Sequence, residues 1–231
     1  MLRVIFVVMF NLTVVLATQN PVSLQYTGVD TVHIHSDSET EKFHIQRLQP
    51  SECLDIGMTP ENLYDEDSLK TKINAKCIKS LITTVGKIQP MQIAHGVKTV
   101  GEIEVLDFIK NKSSIYPKKH VLIDSRTINW YEHSTIPSAV NLPYTEMEYD
   151  KDFPEDYEKM LDLLSIKKVG DKLNFSNAKT ILMFCNGIWC GQSPRAIKIL
   201  LKMGYPANKI LWYRGGLQSW LMLGLNTIKP K

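Results

Sequence analysis

Thr180-Ile-Leu-Met-Phe184-Cys-Asn-Gly-Ile-Trp-Cys-Gly-Gln-Ser-Pro-Arg195 is the stretch on which the reading of this chain turns. The run from Thr180 to Phe184 reads as an apolar strand buried on both faces, the pattern of a parallel sheet. It ends in Cys185, a loop follows, and Ser193-Pro194 describes a helix start: a capping hydroxyl, then proline at the first helical position. In parallel α/β sheets ligands bind just beyond the carboxyl ends of strands, so Cys185 stands where chemistry is expected. The open amides of the new helix and of the Gly187 and Gly191 region can turn toward one point. Such a nest favours a thiolate, a persulfide or a bound oxyanion. The alternative is a cysteine that only packs, free cysteine being among the most buried residue types.

Outward from this stretch, the chain after about Val97 alternates apolar runs with helical ones, the mark of parallel strands joined by crossover helices. Gly101 to Lys110 is amphipathic through Ile103, Leu106 and Ile109, and Val121 to Asp124 is a buried strand. Ala139 to Leu142 is a short strand and Glu155 to Leu164 a helix. Ile197, Leu200 and Leu201 give the helix after the loop its buried face, with Lys202 and Gly204 marking its end. Ile210 to Tyr213 is a last strand, and the segment after Gly215-Gly216 a closing helix.

The amino-terminal part reads differently. One basic residue, Arg3, precedes an apolar run ending in Val15-Leu-Ala17, the build of a cleaved export leader over residues 1–17. The run is short for a spanning helix and interrupted by Asn11 and Thr13, so stable membrane insertion after leader removal is not expected. Residues 18–96 form an extension of unknown fold and function, and residues 97–229 the α/β domain. Val32-His33-Ile34-His35 alternates as a strand, placing both histidines on one face, expected to be solvated rather than metal-binding because no third ligand is near. Thr59-Pro60 opens a candidate helix flanked by Cys53 and Cys77, for which a structural disulfide is expected in an oxidising compartment. The other cysteines of the four are Cys185 and Cys190; none forms a Cys-x-x-Cys pair, so neither a structural metal nor a cofactor is implied. The net charge of +3 over 231 residues is too small to suggest a nucleic-acid partner.

Several separated motifs carry a family resemblance. From about Thr99 to Leu225 the chain resembles the rhodanese family, through Leu122-Ile-Asp124-Ser-Arg126, Ile136-Pro-Ser-Ala-Val-Asn-Leu-Pro143, Gly204-Tyr205, Gly215-Gly216 and Trp220. The resemblance implies a parallel five-stranded sheet flanked by helices, with the catalytic cysteine heading the loop after the fourth strand. It implies that Asp124 and Arg126 tie a strand end to neighbouring loops. It implies sulfur transfer: Cys185 takes a sulfane sulfur from a small donor, holds it as a persulfide and passes it to a thiol or other nucleophilic acceptor. The binding loop would comprise Asn186, Gly187, Ile188, Trp189, Gly191, Gln192 and Ser193, with Arg195 in the following helix.

The chain departs from the family in this same loop. Family loops read Cys-x-x-Gly-x-Arg followed at once by Ser, whereas Ser193 here lies eight residues after Cys185 with no lysine or arginine between. Related phosphatases place an arginine six residues after the cysteine, where this chain has Gly191. The loop instead holds Cys190, a candidate resolving cysteine able to close a disulfide with Cys185. Three readings follow: a sulfurtransferase, a thiol-disulfide redox protein using Cys185 and Cys190, or a non-catalytic scaffold that binds a protein partner. An exported, periplasmic or secreted location is expected for each.

Overall fold

The computed structural model describes residues 28–36, 38–46 and 86–231. The leader, the candidate helix at Thr59 and the Cys53–Cys77 pair lie outside the described residues.

The chain runs β1 (Val29–Ile34), β2 (Thr40–Ile45), β3 (Lys98–Val100), α1 (Glu102–Phe108), a π-helical turn (Ile109–Ser113), β4 (His120–Asp124), α2 (Ile128–His133) and β5 (Val140–Asn141). It continues with a 3₁₀ turn, α3 (Pro154–Leu163), β6 (Lys167–Val169), β7 (Lys172–Asn174), β8 (Thr180–Phe184), α4 (Gln192–Met203), β9 (Ile210–Tyr213) and α5 (Gly216–Met222). The main sheet has five strands in the order β3-β9-β8-β4-β5, and all its pairings are parallel. This is the parallel five-stranded sheet that the resemblance implied.

Alternation along the central strands builds two cores. Val121 and Ile123 of β4 and Ile181 and Met183 of β8 face one side, against Met160 and Leu161 of α3 and Ala196, Ile197 and Leu200 of α4. Leu122, Leu182 and Phe184 face the other, against Val105 and Leu106 of α1 and Leu217 and Trp220 of α5. With apolar residues needed on both faces, the strands show no polar alternation, which is why they read as continuous runs. The carboxyl ends of β4 and β8, in register through Asp124 and Phe184, therefore emerge side by side above the sheet.

The β1–β2 hairpin lies on the α1/α5 side, where Val29 and Ile45 join that core. The histidines share a face of β1, but that face is buried: His33 is 0% and His35 4% exposed, while Val32 and Ile34 point outward. This corrects the expectation of solvated imidazoles. The polar face is buried because partners meet it. Ser138 N–H donates to His33 Nδ1 at 3.2 Å, and Lys231 N–H donates to His35 Nδ1 at 3.0 Å, which leaves His35 Nε2–H for Glu41 at 3.1 Å. Asn226 clamps the other strand, donating to the His44 carbonyl and accepting from Gln46 N–H. No helix among the described residues is long and apolar enough to cross a membrane.

Candidate active site

Two strand ends meet at the site. At the end of β4, Asp124 and Arg126 form a buried ion pair, Nη2 to Oδ2 2.6 Å, with 0% and 1% of each residue exposed. Thr135 Oγ1 also donates to Asp124 Oδ2 at 2.8 Å, and Arg126 donates to the Ser134 carbonyl. Its remaining nitrogen, Nη1, donates to Asn186 Oδ1 at 3.2 Å. The guanidinium therefore holds the first residue of the loop after β8, the tying role that the resemblance implied for this pair.

At the end of β8, Cys185 and Cys190 are free thiols, 2% and 4% exposed. The conformation of the loop between them follows from where its carbonyls go. Leu217 N–H, at the start of α5, donates to the Cys185 carbonyl at 3.0 Å, and Gln218 N–H to the Asn186 carbonyl at 2.8 Å. In a trans peptide the N–H points opposite to its own C=O, so both clamps turn the Asn186 and Gly187 amides the other way, into the loop. Gly216 makes the close approach possible: at φ +58°, a Cβ there would sit 2.3 Å from the Cys185 carbonyl oxygen. On the outer side, Gln89 N–H donates to the Ile188 carbonyl and Lys87 N–H to the Trp189 carbonyl, so residues 87–89 lie as a strap along the loop. Arg214 in turn holds the Gln89 carbonyl, and Trp189 donates to Gln218 Oε1 at 2.8 Å.

The loop amides divide between the two sulfurs: that of Ser193 favours the Cys185 thiolate, and those of Gln192, Asn186 and Gly187 favour the Cys190 thiolate. Burial, and then the neighbouring Cys190, push the Cys185 thiol well above its usual range against the opposing help of Ser193. Burial at the strand end thus opposes ionisation of Cys185, and the Ser193 hydroxyl and amide favour it. Cys190 moves the other way. A hydrogen bond from Cys185, ahead of the three amides, lowers it despite burial.

A family profile described as Rhodanese-like domain matches residues 108–223, half of the chain, with the Asp124–Arg126 tie and the whole 185–193 loop inside it. The chain belongs to the rhodanese-like domain family. Solved structures resemble it in part. The rhodanese of E. coli solved with anions is 22% identical, covering 48% of this chain and 98% of its own, with a TM-score of 0.30. A human single-domain sulfurtransferase is 18% identical, covering 54% and 96%, with a TM-score of 0.35. A thiosulfate sulfurtransferase from Pseudomonas aeruginosa is 17% identical, covering 58% of this chain and 21% of that one, with a TM-score of 0.39. No curated protein matches.

Within this rhodanese-like domain two further residues differ from their sequence reading. The helix after the loop starts at Gln192 with Gly191 as its N-cap and no side-chain cap. Ser193 is not the cap, because its hydroxyl is turned down to Cys185 Sγ at 3.1 Å. Arg195 is exposed; its guanidinium lies 3.8 Å from Glu148 and over the Tyr144 ring rather than inside the loop. Gln89, Gly191, Pro194 and Arg195 line a shallow groove of about 390 Å³ beside the loop. Sequence reasoning missed Trp212, Gln218 and the 87–89 strap. Of these only α5 carried a local signal, the Gly215-Gly216 pair just ahead of Leu217 and Gln218.

Proposed function

We propose that the chain is a sulfurtransferase that carries a sulfane sulfur as a cysteine persulfide in the 185–193 loop, between a small sulfur donor and a thiol acceptor. The observation that carries this reading is the pair of free thiols at the end of β8, set against inward-turned loop amides within a rhodanese-like domain. Amides aimed at a sulfur stabilise the negative charge that a thiolate has before transfer and a persulfide after it, at no cost in reorganisation. The loop lacks a cation, and Arg195 is engaged with Glu148 and Tyr144. Donors whose reacting end carries at most one charge, such as the S–SH group of low-molecular-weight persulfides, fit this site better than the dianion thiosulfate. The test is intact-protein mass after incubation with glutathione persulfide. One added sulfur in the native chain and none in the Cys185→Ser/Cys190→Ser double variant supports the reading; no added sulfur in the native chain refutes it.

A second reading has its own support, two free thiols in one loop with Cys185 Sγ donating to the Cys190 carbonyl at 3.5 Å. Contact at that range lets the pair close a disulfide while a substrate disulfide is reduced to two thiols, electrons and protons passing between them in equal number. Dithiol-dependent reduction of a model disulfide, lost on either single substitution, would favour this chemistry. For either reaction we propose an exported protein whose leader ends near Ala17, which amino-terminal sequencing of the mature chain checks.

A further inference from the structure

Both thiols of the loop are enclosed, Cys185 2% and Cys190 4% exposed, so a donor reaches either sulfur only when something over the loop moves. The inner sides belong to the core of the domain. β8 ends beneath the loop, α4 leaves it with Pro194 and Ala196 buried, and Leu217 N–H and Gln218 N–H of α5 grip the Cys185 and Asn186 carbonyls. The outer side is the strap. Lys87 N–H and Gln89 N–H hold the Trp189 and Ile188 carbonyls at 3.1 and 2.8 Å, and Gln89 Nε2 lies 3.8 Å from where a Gly191 Cβ would stand, so the strap meets the loop on both sides of Cys190. Gly86, at φ +77°, permits the approach, since a Cβ there would sit 2.2 Å from the Trp189 carbonyl oxygen. The Trp189 indole is folded back over Gly187, its Nε1 3.1 Å from where a Cβ of that glycine would stand, and it is secured to Gln218.

The strap is held by hydrogen bonds and not by burial of its own side chains. Ile88 is 82% and Met91 70% exposed, Lys87 and Pro90 are exposed as well, and burial resumes only at Ile93 and Ala94, which pack partly on the core. A segment so attached opens at a much lower free energy than the sheet beneath it. One side chain secures it. Arg214, just past the end of β9, donates to the Gln89 carbonyl from Nε at 3.1 Å and from Nη2 at 2.8 Å, and Gln89 Nε2 closes the strap on its own Lys87 carbonyl at 2.8 Å. We propose that residues 86–91 are a gate over the two thiols, latched by Arg214, and that opening of this segment controls access to the sulfurs. Opening frees the Ile188 and Trp189 carbonyls and the backbone that carries the indole, while α5 keeps its grip on the Cys185 and Asn186 carbonyls. The site is thereby uncovered without being dismantled. The use of the gate in catalysis rests on the sulfurtransferase reading, whereas its presence rests on burial and hydrogen bonds alone.

The test compares thiol access with strap opening. At one fixed pH, iodoacetamide labelling of Cys185 and Cys190 should run roughly tenfold faster in Arg214→Met than in the native chain, because the hydrogen bonds from a charged donor to Gln89 are lost. Hydrogen exchange of the Lys87 and Gln89 amides should accelerate by the same factor, while amides within β8 and β9 keep their native rates. Gly86→Ala, whose Cβ cannot seat against the Trp189 carbonyl, should couple the two rates in the same way from the other end of the strap. Faster exchange at Lys87 and Gln89 with unchanged labelling overturns the gate. So does faster labelling accompanied by equally faster exchange throughout β8, since access then comes from opening of the sheet. Native exchange at Lys87 and Gln89 in both variants overturns it as well, because the strap then does not depend on the contacts that define the latch. Loading by glutathione persulfide, measured alongside, separates the two claims. Labelling that follows the strap, with no loading in any protein, upholds the gate and overturns the reaction; loading in the native chain, with labelling indifferent to the strap, upholds the reaction and overturns the gate.

Discussion

The ends of β4 and β8 are neighbours in one sheet and solve the same electrostatic problem in opposite ways. At β4 a full negative charge, Asp124, is buried and met by a full positive one, Arg126, with Thr135 and Asn186 completing the hydrogen bonds. At β8 no cation enters the loop; a Trp212–Ser193 donor chain ends on Cys185 Sγ, and backbone amides favour the Cys190 thiolate. An ion pair closed on itself is inert, which suits a structural tie. Dipoles held in place leave their target uncompensated until it ionises or takes up a charged group, which suits a reacting atom. The inert cluster also supports the reactive one, since Arg126 reaches across to Asn186, whose amide is aimed at Cys190.

The largest effect expected from this contrast is at the ion pair. Arg126→Met leaves the Asp124 carboxylate buried without its partner and should cost about 3–5 kcal/mol of stability, measured by urea denaturation. A loss below 1 kcal/mol would mean that the cluster is not the closed structural tie described above. Next comes Gly216→Ala, which forces a positive φ on alanine and drives its Cβ into the Cys185 carbonyl. We expect roughly 1–3 kcal/mol of destabilisation, with sulfur loading falling more than stability because the clamp orienting the Asn186 and Gly187 amides is lost. Equal loss in both measurements would show that the amides do not need that clamp.

A smaller, pH-dependent effect belongs to the hairpin. Burial, reinforced by His35 and partly opposed by Glu41, lowers His33 from 6.5 to about 4. Below 6.5 the unfolded chain binds the proton and the folded chain does not, so this contribution is fully present above pH 6.5 and is lost as pH falls toward 4. Urea midpoints measured across that window should fall in the native chain and fall less in His33→Asn, which keeps an acceptor for Ser138 N–H. The smallest effect is at Arg195. Exposed and turned to Glu148 and Tyr144, it should change loading from glutathione persulfide by less than about twofold on replacement with alanine, in keeping with the weak coupling of surface charges. A tenfold loss would place the guanidinium in the reaction path and make the loop resemble the charged solution at β4.

Much of the fold was legible locally. Continuous apolar runs at Val121–Asp124 and Thr180–Phe184 reflect burial on both faces, and Gly204 as a left-handed helix end at φ 100° follows from its missing side chain. The family motifs located the Asp124–Arg126 tie and the loop itself. The hairpin misled because alternation reveals which residues share a face and not which face is buried. His33 and His35 are covered because Ser138 and Lys231, distant in sequence, bring N–H donors to them.

The surroundings of the two sulfurs lie on the same side of that divide. Residue order places Cys185 at the strand end and Cys190 in the loop, and position alone favours the former. The direction of the loop amides depends on which peptide carbonyls are already taken, and those partners come from Leu217 and Gln218 on one side and from Lys87 and Gln89 on the other. The direction of the donor chain likewise depends on Trp212, a β9 residue brought beneath Ser193 by a parallel pairing between β8 and β9. A peptide plane can face either way at little local cost, so its orientation is set by long-range hydrogen bonds that exist only once the sheet, the closing helix and the strap have assembled.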